Sequence, residues 1–309
     1  MSAQAIETTG LTRRYGSLTA LDAVQYCVPA GAISGLIGPN GAGKTTLLSL
    51  LCGYLRPNAG SGTILGAPLG DLPRLKGRLG VYPQDAALDH RRTVWAELTF
   101  WAELSGLGRD EAKSASRTAL GQVGLGDRLG TSCAGLSHGM ARRAGIAGAL
   151  LGKPDLVLLD EPTAGLDPRS AHDVRTLVAT IAEEQGATVV ISSHNLTELQ
   201  DLCDHAVILD HGHIVASGPL ESLTHGGAEV RIQCVGRPAN LAPVEKLPRV
   251  LSVEATDDLL TVRFDTSGDM PMEEPLAAVL SRLLEEGARI REVRQGRTLE
   301  QRFLELTGG

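Results

Sequence analysis

The chain has 309 residues, of which 42% are hydrophobic, 21% are charged and only 3% are aromatic. This length accommodates one large domain with a small one, or two domains of medium size. The net charge of −7 argues against a nucleic-acid groove as the main binding surface, because such a groove needs clustered Lys and Arg side chains. We therefore expect no nucleic acid among the partners.

Neither an export signal nor a membrane span is predicted. Residues 1–10 are polar, and the longest apolar stretch, residues 47–55, is far shorter than the roughly 20 residues that a membrane helix needs. The five cysteines form no C-x-x-C pair, so we expect reduced thiols rather than a metal or redox site. The chain is expected in the cytoplasm, where attachment to a membrane would require a partner.

The first two thirds of the chain alternate apolar runs with helical patterns. Such near-continuous apolar runs are typical of strands buried on both faces of a parallel sheet. They cover residues 32–38, 155–160 and 187–192, and helical patterns follow at 44–51, 170–185 and 195–203. An α/β fold with a mainly parallel sheet is therefore predicted.

A mainly helical insert is predicted at about residues 93–151. It contains both tryptophans, and a Gly-rich helix begins near Ser137. Gly145 and Gly148 each cost a helix about 1 kcal/mol relative to Ala. We therefore expect a neighbouring group to pack closely against the backbone of this helix.

A second, smaller unit is predicted after a linker at residues 225–228. Strand patterns surround residues 230–234 and a turn at residues 257–258; a helix at 273–286, a strand at 290–293 and a closing helix at 299–306 follow. This order is typical of a small α+β unit with a split βαβ arrangement. We expect a nucleotide-binding domain at residues 1–224 and a C-terminal extension at 229–309.

Residues 38–45 match the pattern G-x-x-x-x-G-K-[ST] between a predicted strand and a predicted helix. Glycines let the backbone N–H groups approach phosphate oxygens, and the helix N-terminus adds a positive dipole end. The lysine is expected at the β- and γ-phosphates, and the threonine hydroxyl at Mg²⁺. The predicted ATP-binding loop comprises Gly38, Pro39, Asn40, Gly41, Ala42, Gly43, Lys44 and Thr45.

Two adjacent carboxylates end the second buried strand. An acid at the carboxyl edge of a parallel sheet faces the same crevice as the phosphate-binding loop. Asp160 is therefore predicted to hold Mg²⁺, and Glu161 to act as general base or to orient the attacking water. Together with the loop, these residues predict hydrolysis of Mg-ATP.

Further motifs occur in a fixed order. They are Gln84 within Tyr-Pro-Gln-Asp, the stretch Leu-Ser-His-Gly-Met at 136–140, the runs 156–161 and 162–167, and His194 after two serines. With residues 38–46, this order and spacing resemble the nucleotide-binding subunit of an ATP-binding-cassette (ABC) transporter over about residues 5–220. The resemblance implies a P-loop NTPase fold of the ABC type, with an antiparallel β region at its N-terminus.

The resemblance also implies roles for single residues. Tyr15 corresponds to the aromatic residue that stacks on adenine, although simple packing is the alternative. Thr46 extends the nucleotide-binding loop. Gln84 corresponds to the residue that senses Mg²⁺ and the attacking water, and His194 to the switch histidine at the γ-phosphate.

Other matched residues imply a dimer. Asp167 corresponds to the loop that crosses between two subunits. Ser137 and Gly139 begin the signature helix, which in this family binds the γ-phosphate of ATP held by the opposite subunit. A head-to-tail pair with a second copy of the chain is therefore expected, and a heterodimer stays open.

The signature departs from the family pattern Leu-Ser-Gly-Gly-Gln. His138 replaces the first glycine and Met140 the glutamine. A histidine near a triphosphate would add to binding if charged, whereas an outward-facing side chain would contribute nothing. An outward position is the favoured interpretation.

Some weaker patterns have simpler interpretations. The run Asp-His-Gly-His at 210–213 is expected to be a polar hairpin turn rather than a metal site. Arg142 and Arg143 are expected to be solvated or interface charges. Trp95, Phe100 and Trp101 are expected either in the core or in the surface that cradles a helix of the membrane partner.

The resemblance implies a peripheral ATPase subunit that drives a separately encoded membrane permease from the cytoplasmic face. The segment at 298–307 is similar to the tails of single-cassette exporters, which favours export over import. A soluble ABC protein of translation or repair is the alternative, although a second cassette and a coiled-coil insert are both missing. A silent nucleotide binder would lack Lys44, Glu161 or His194. The C-terminal extension regulates, dimerises or docks, and the transported substrate is not encoded in these motifs.

Overall fold

The protein is described here by a computed structural model covering residues 3–224, 229–236, 240–265, 272–296 and 299–307. The chain forms two compact units, residues 1–220 and 221–309. The linker expected at residues 225–228 lies outside the described residues. Among the described helices, none has both the length and the apolar character needed to cross a bilayer.

The strands of the first unit are β1 (Gln4–Tyr15), β2 (Leu18–Val24), β3 (Cys27–Pro29), β4 (Ile33–Ile37), β5 (Ala59–Ile64), β6 (Ala67–Pro68), β7 (Leu79–Tyr82), β8 (Leu156–Asp160), β9 (Thr188–Ser193), β10 (His205–Asp210) and β11 (His213–Pro219). Its helices are α1 (Lys44–Leu51), α2 (Leu72–Leu75), α3 (Val94–Leu104), α4 (Arg109–Gln122), α5 (His138–Ala149), α6 (Pro168–Gln185) and α7 (Leu196–Gln200). A short helix α8 (Leu220–Thr224) follows β11.

Two sheets build the first unit. The six-stranded sheet has the order β11-β10-β4-β9-β8-β7 and is parallel except for β11 at its edge. Every residue of β4, β8 and β9 is buried, as their apolar runs predicted. The second sheet, β2-β1-β5-β6 with β3 beside β1, is antiparallel. The predicted α/β fold with an N-terminal antiparallel region is thus confirmed.

The core of the first unit lies between these sheets and α1. It is built of aliphatic side chains with less than 8% exposure, such as Leu36, Leu47 and Leu158, and the fully buried Tyr26 packs among them. Because β4 and α1 are held by this core, the loop that joins them has fixed ends. That loop is the predicted phosphate-binding segment.

The second unit contains strands β12 (Glu229–Cys234), β13 (Val250–Thr256), β14 (Leu259–Phe264) and β15 (Ile290–Gln295), with helices α9 (Ala242–Glu245), α10 (Glu273–Glu285) and α11 (Leu299–Thr307). The sheet order is β13-β14-β12-β15, and all pairs are antiparallel. This order, with α9 after β12 and α10 after β14, is the split βαβ arrangement predicted from the pattern. A separate apolar cluster holds it, including Ile232, Val262 and Leu283.

One predicted helix is shorter in the structure, and one short helix was not predicted. The helix expected at residues 195–203 spans only Leu196–Gln200, because a turn follows at 201–202. Helix α9, which begins with Ala242 and Pro243, is too short to give a periodic pattern and is missing from the sequence prediction.

Candidate nucleotide-binding site

The loop of residues 38–43 connects the buried strand β4 to helix α1. Gly41 and Gly43 have φ angles of 84° and 110°, which side chains other than glycine rarely adopt. A Cβ at Gly43 would also lie 2.7 Å from the carbonyl oxygen of Ala20. The glycines are therefore required by the loop's curvature, which turns its backbone toward the space where a phosphate chain would lie.

Lys44 is held inside the loop. Its Nζ donates hydrogen bonds to the carbonyl oxygens of Gly38 at 2.7 Å and Pro39 at 3.3 Å. The same nitrogen lies 3.3 Å from Glu161 Oε1, and both side chains are less than a tenth exposed. The cation is thus paired with the carboxylate that the sequence assigned to water activation.

Glu161 comes directly after the last residue of β8, and its own backbone conformation is unusual. Its φ angle is +49°, a conformation that costs a non-glycine residue about 1–3 kcal/mol. Its N–H donates to Ser192 Oγ at 2.9 Å, and Ser192 Oγ donates to Asp160 Oδ1 at 2.5 Å. His194 Nδ1 lies 2.8 Å from Glu161 Oε2. One serine of β9 therefore fixes both predicted acids, while the histidine contacts the second.

Gln84 is near the start of α1 although it follows β7. Thr45 Oγ1 donates to Gln84 Oε1 at 3.4 Å. The hydroxyl, the amide oxygen and the buried Asp160 carboxylate are hard oxygen donors of the kind that Mg²⁺ prefers. The residues present thus fit the magnesium ion of an Mg-ATP substrate.

Lys44, Thr45, Gln84 and Glu161 border one open cleft of about 470 Å³, whereas Asp160 and His194 are not among the described residues that line it. Tyr15 is 43% exposed at its rim, and the Arg13 guanidinium lies 4.7 Å from the centre of its ring. Gly38 and Ala42 are not among its lining residues; the Gly38 carbonyl accepts from Lys44 Nζ at 2.7 Å, and the Ala42 carbonyl accepts from Gly212 N–H at 3.0 Å. The predicted residues that line the cleft are Tyr15, Pro39, Asn40, Gly41, Gly43, Lys44, Thr45, Thr46, Gln84 and Glu161.

The signature stretch lies elsewhere. Ser137 caps α5, since its Oγ accepts from Met140 N–H at 3.3 Å, and both Ser137 and His138 are exposed. Gly139 packs against Ser170, whose Oγ would lie 3.1 Å from a Cβ at that position. Neither the signature residues nor Asp167 lie among the described residues that line the cleft.

Asp167 caps helix α6. Its Oδ1 accepts from the backbone N–H groups of Arg169 and Ser170 at 3.1 Å, and its Oδ2 from Ser170 Oγ at 2.6 Å. These hydrogen bonds hold the pKa of Asp167 below its ordinary value. The loop before α6 therefore has a fixed end beside Gly139.

Comparison with known proteins agrees with this geometry. A family model described as ABC transporter matches residues 21–164. The chain is 31% identical to the linearmycin resistance ATP-binding protein LnrL of Bacillus subtilis, over 98% of both chains. It is 33% identical to the Nod factor export ATP-binding protein I of Ralstonia nicotianae, over 98% of this chain and 94% of that one.

The chain belongs to the ABC transporter ATP-binding proteins. Among solved structures it is similar to cbiO1 of Clostridium perfringens, part of the ABC transporter complex cbiONQ, with a TM-score of 0.65 and 26% identity. That match covers 71% of this chain and 90% of the other. The protein is accordingly an ATP-binding and ATP-hydrolysing subunit, as the motifs predicted.

For the two arginines of α5 in this ABC ATPase, the solvated alternative is wrong, while an interface position stays a prediction. They are half-buried and bonded within the chain rather than solvated. Arg142 Nη1 donates to the Glu161 carbonyl at 3.0 Å and to Tyr82 Oη at 3.3 Å, and Arg143 Nη1 donates to the Val123 carbonyl at 3.1 Å. The reason is that α5 packs against β7 and the end of β8, which a linear pattern does not show.

The expectation of close packing at α5 is confirmed. A methyl group at Gly145 would meet the Tyr82 ring at 2.5 Å, and one at Gly148 would collide with the Trp101 ring. Trp95 links two helices of the insert, since it lies in α3 and its Nε1 donates to the Lys113 carbonyl of α4 at 3.2 Å. Phe100 is 39% exposed beneath the Arg92 guanidinium.

Residues 210–213 form the predicted hairpin turn between β10 and β11. His211 Nδ1 lies 2.8 Å from Asp210 Oδ1, and within the part of the chain described here no group of three or more metal-binding side chains occurs. All five cysteines of the ABC ATPase are free thiols.

Ser192 and Arg142 are the site residues that sequence reasoning missed. Ser192 lies two positions before His194. Since residues two apart along a strand point to the same face, this spacing was the signal available in the sequence. No comparable signal existed for Arg142, because its partners come from two other strands.

Proposed function

We propose that this ABC ATPase works as a head-to-tail pair with a second copy, and that the pair powers an exporter through a separately encoded permease. The observation that carries the proposal is that the cleft and the signature residues lie apart within one chain. The cleft contains the loop, Gln84 and Glu161, whereas the capped and exposed start of α5 presents Ser137 outward. A helix N-terminus of this kind attracts phosphate, so the signature of one copy would complete the cleft of the other.

The residues in and around the cleft would act on the phosphates, the magnesium ion and the attacking water. Lys44 leaves Glu161 and pairs with the β- and γ-phosphates of Mg-ATP, while Thr45, Gln84 and Asp160 would hold the magnesium ion. The freed Glu161 carboxylate orients a water molecule, which attacks the γ-phosphorus as the bond to the ADP oxygen breaks. Glu161 accepts the proton of that water, and His194, whose Nδ1 lies 2.8 Å from Glu161 Oε2, would contact the γ-phosphate.

The base and the opposite subunit complete the proposed site. Tyr15 is proposed to stack on adenine from the exposed rim of the cleft. Ser137 and Gly139, and the loop at Asp167, would approach the partner's nucleotide together, since Gly139 packs against the first turn of α6. His138 is exposed at the same helix end, so its contribution to phosphate binding stays a prediction.

A second groove is a candidate docking surface for the proposed permease partner. It has a volume of about 440 Å³ and lies beside β7, and its lining includes Pro83 and Asp85, the two neighbours of Gln84. Tyr54, which is 72% exposed, and Trp101 provide aromatic surface there. A helix of a permease seated in this groove would contact the segment that holds Gln84, at the cytoplasmic face of the membrane.

Export is supported by the relatives. LnrL is a resistance protein and the Ralstonia protein is named for Nod factor export. The single cassette, followed by the extension at residues 229–309, is the organisation expected for this class. A soluble factor of translation or repair is not favoured, since these relatives align with nearly the whole chain.

A mixing experiment tests the composite site. Lys44→Ala removes the phosphate cation, and Ser137→Asp keeps a capping side chain while placing negative charge at the expected phosphate position. Each variant alone should hydrolyse ATP poorly. Their mixture should recover turnover, because a mixed dimer has one intact cleft with one intact signature. A mixture as inactive as its components, from chains shown to exchange, would contradict the dimer proposal.

The permease is tested separately. The tagged chain, produced in its own host and extracted in detergent, is expected to copurify with a multi-pass membrane protein. Recovery only from the soluble fraction, with ATPase activity unaffected by detergent-extracted membranes, would favour the soluble alternative.

A further inference from the structure

A single guanidinium group joins the signature helix to the catalytic strand. Arg142 lies in α5, five residues after the capping Ser137, and its Nη1 donates to the Glu161 carbonyl oxygen at 3.0 Å and to Tyr82 Oη at 3.3 Å. The two acceptors belong to different strands, β7 and the end of β8. Arg142 thereby connects three elements that carry the signature, Gln84 and Glu161.

The ring of Tyr82 packs closely against the same helix, α5. Its ring lies so close to Gly145 that a Cβ there would be 2.5 Å from the ring edge, and the residue is only 3% exposed. Burial raises the pKa of Tyr82, and the nearby Arg142 charge opposes this shift, so the hydroxyl stays a neutral acceptor for the guanidinium. Since Gln84 follows two residues later, a displacement of α5 would also shift the segment that holds Gln84.

The Glu161 backbone depends on hydrogen bonds at both sides. With φ at +49° it occupies a costly conformation, which persists only where the surroundings fix it. Ser192 Oγ accepts its N–H at 2.9 Å, and Arg142 holds its carbonyl at 3.0 Å. The backbone orientation of Glu161 sets where its carboxylate lies. By holding the Glu161 carbonyl, Arg142 therefore influences the position of that carboxylate.

We propose that Arg142 is a positioning residue for hydrolysis: it fixes the Glu161 carbonyl and the Tyr82 hydroxyl, so that the catalytic carboxylate is placed according to the position of α5. The inference deepens the proposed function, because it rests on Glu161 as the water-activating group. When Ser137 and Gly139 engage the partner's nucleotide, the movement of α5 would reach Glu161 through this guanidinium. Hydrolysis would then depend on dimer closure as well as on bound ATP.

The test compares steady-state kinetics of the full-length chain and its variants. Arg142→Ala should lower kcat about tenfold while KM for ATP stays within about twofold, as expected when an interaction used mainly in the transition state is lost. Arg142→Lys should recover part of that loss, since an ammonium group reaches one of the two acceptors. Tyr82→Phe, which keeps the ring against Gly145, should lower kcat by about two- to threefold.

Arg143→Ala is the matched control. Arg143 is the next residue of the same helix, but its guanidinium bonds to the Val123 carbonyl within the insert and does not reach the cleft. Its kcat should stay within about twofold of the wild-type value. Thermal unfolding of each variant separates a loss of folding from a loss of positioning.

Three results would overturn the proposal. They are an unchanged kcat in a folded Arg142→Ala chain, an equal loss of kcat in the Arg143→Ala control, and a rise in KM that accounts for the whole effect. Failure of the proposed function looks different, because a wild-type chain without ATP turnover, or a Glu161→Gln variant with normal turnover, would remove the role of Glu161 itself.

Discussion

Lys44 Nζ lies 3.3 Å from Glu161 Oε1 in a cleft where both side chains are less than a tenth exposed. The pair satisfies two charges that would otherwise be buried alone, which is costly in a protein interior. If Lys44 binds the γ-phosphate as proposed, that phosphate would compete with the Glu161 carboxylate for the same ammonium group. In the proposed function, binding of Mg-ATP would break the pair and leave the carboxylate available to orient water.

The first prediction concerns this competition. Glu161→Gln keeps the shape of the side chain but removes its negative charge, so ATP should bind at least as tightly as in the wild-type chain while turnover falls about 100-fold or more. A fluorescent ATP analogue measures affinity and phosphate release measures turnover. Glu103→Gln, an exposed carboxylate of α3, should change neither. An unchanged rate in Glu161→Gln would disprove the role given to Glu161.

The second prediction concerns Ser192. Its buried hydroxyl donates to Asp160 and accepts from the Glu161 N–H, so Ser192→Ala removes one hydrogen bond from each of these two groups. We expect the free energy of unfolding to fall by about 1–3 kcal/mol and kcat to fall about tenfold. Urea denaturation and phosphate release measure the two effects.

Ser193→Ala provides the comparison for Ser192. Ser193 is also buried, and its Oγ accepts the local N–H of Asn195 at 2.9 Å rather than bonding to either acid. Its replacement should cost stability without a comparable loss of kcat. Equal kinetic losses in both variants would show that the strand end, and not the Ser192 hydroxyl, matters.

The third prediction concerns glycines of the insert. Gly148→Ala would push a methyl group into the Trp101 ring, so the free energy of unfolding should fall by about 1–3 kcal/mol despite the better helix propensity of alanine. Gly121 also lies in a helix, and no atom is within 4 Å of a Cβ there. Gly121→Ala should therefore stabilise the protein by up to about 1 kcal/mol. Denaturant midpoints of the two variants should move in opposite directions.

The fourth prediction concerns His205, at the start of β10. The side chain is buried, its Nδ1 lies 3.2 Å from Ser34 Oγ, and burial lowers its pKa below the ordinary value of 6.5. Below about pH 6.5 the unfolded chain thus takes up a proton that the folded chain does not. The free energy of unfolding should fall as the pH drops from 7 toward the lowered folded-state pKa.

His205→Gln removes this proton uptake. Its free energy of unfolding should depend less steeply on pH between 7 and 5 than that of the wild-type protein, although its stability at pH 7 is expected to be lower. Denaturant unfolding at several pH values measures both slopes. Identical slopes would show that His205 does not titrate differently in the two states.

Local patterns were sufficient for much of the fold. The apolar runs predicted β4, β8 and β9, because a strand buried on both faces has to be apolar at nearly every position. The helix that begins near Ser137 was predictable from the capping residue, and Gly145 and Gly148 indicated close packing. Short elements such as α9 escaped, since four residues give no periodicity.

The sequence by itself determined the chemical groups of the site: the glycines of the loop, Lys44, the two acids and the family to which their spacing belongs. These depend on residue type and on neighbours along the chain. Only the tertiary structure decided that Lys44 is paired with Glu161, that Ser192 bonds to both acids, and that Arg142 is half-buried and hydrogen-bonded within the chain instead of solvated. The physical reason is that such contacts form between strands and helices far apart in sequence, where packing of the sheet and α5 sets the distances.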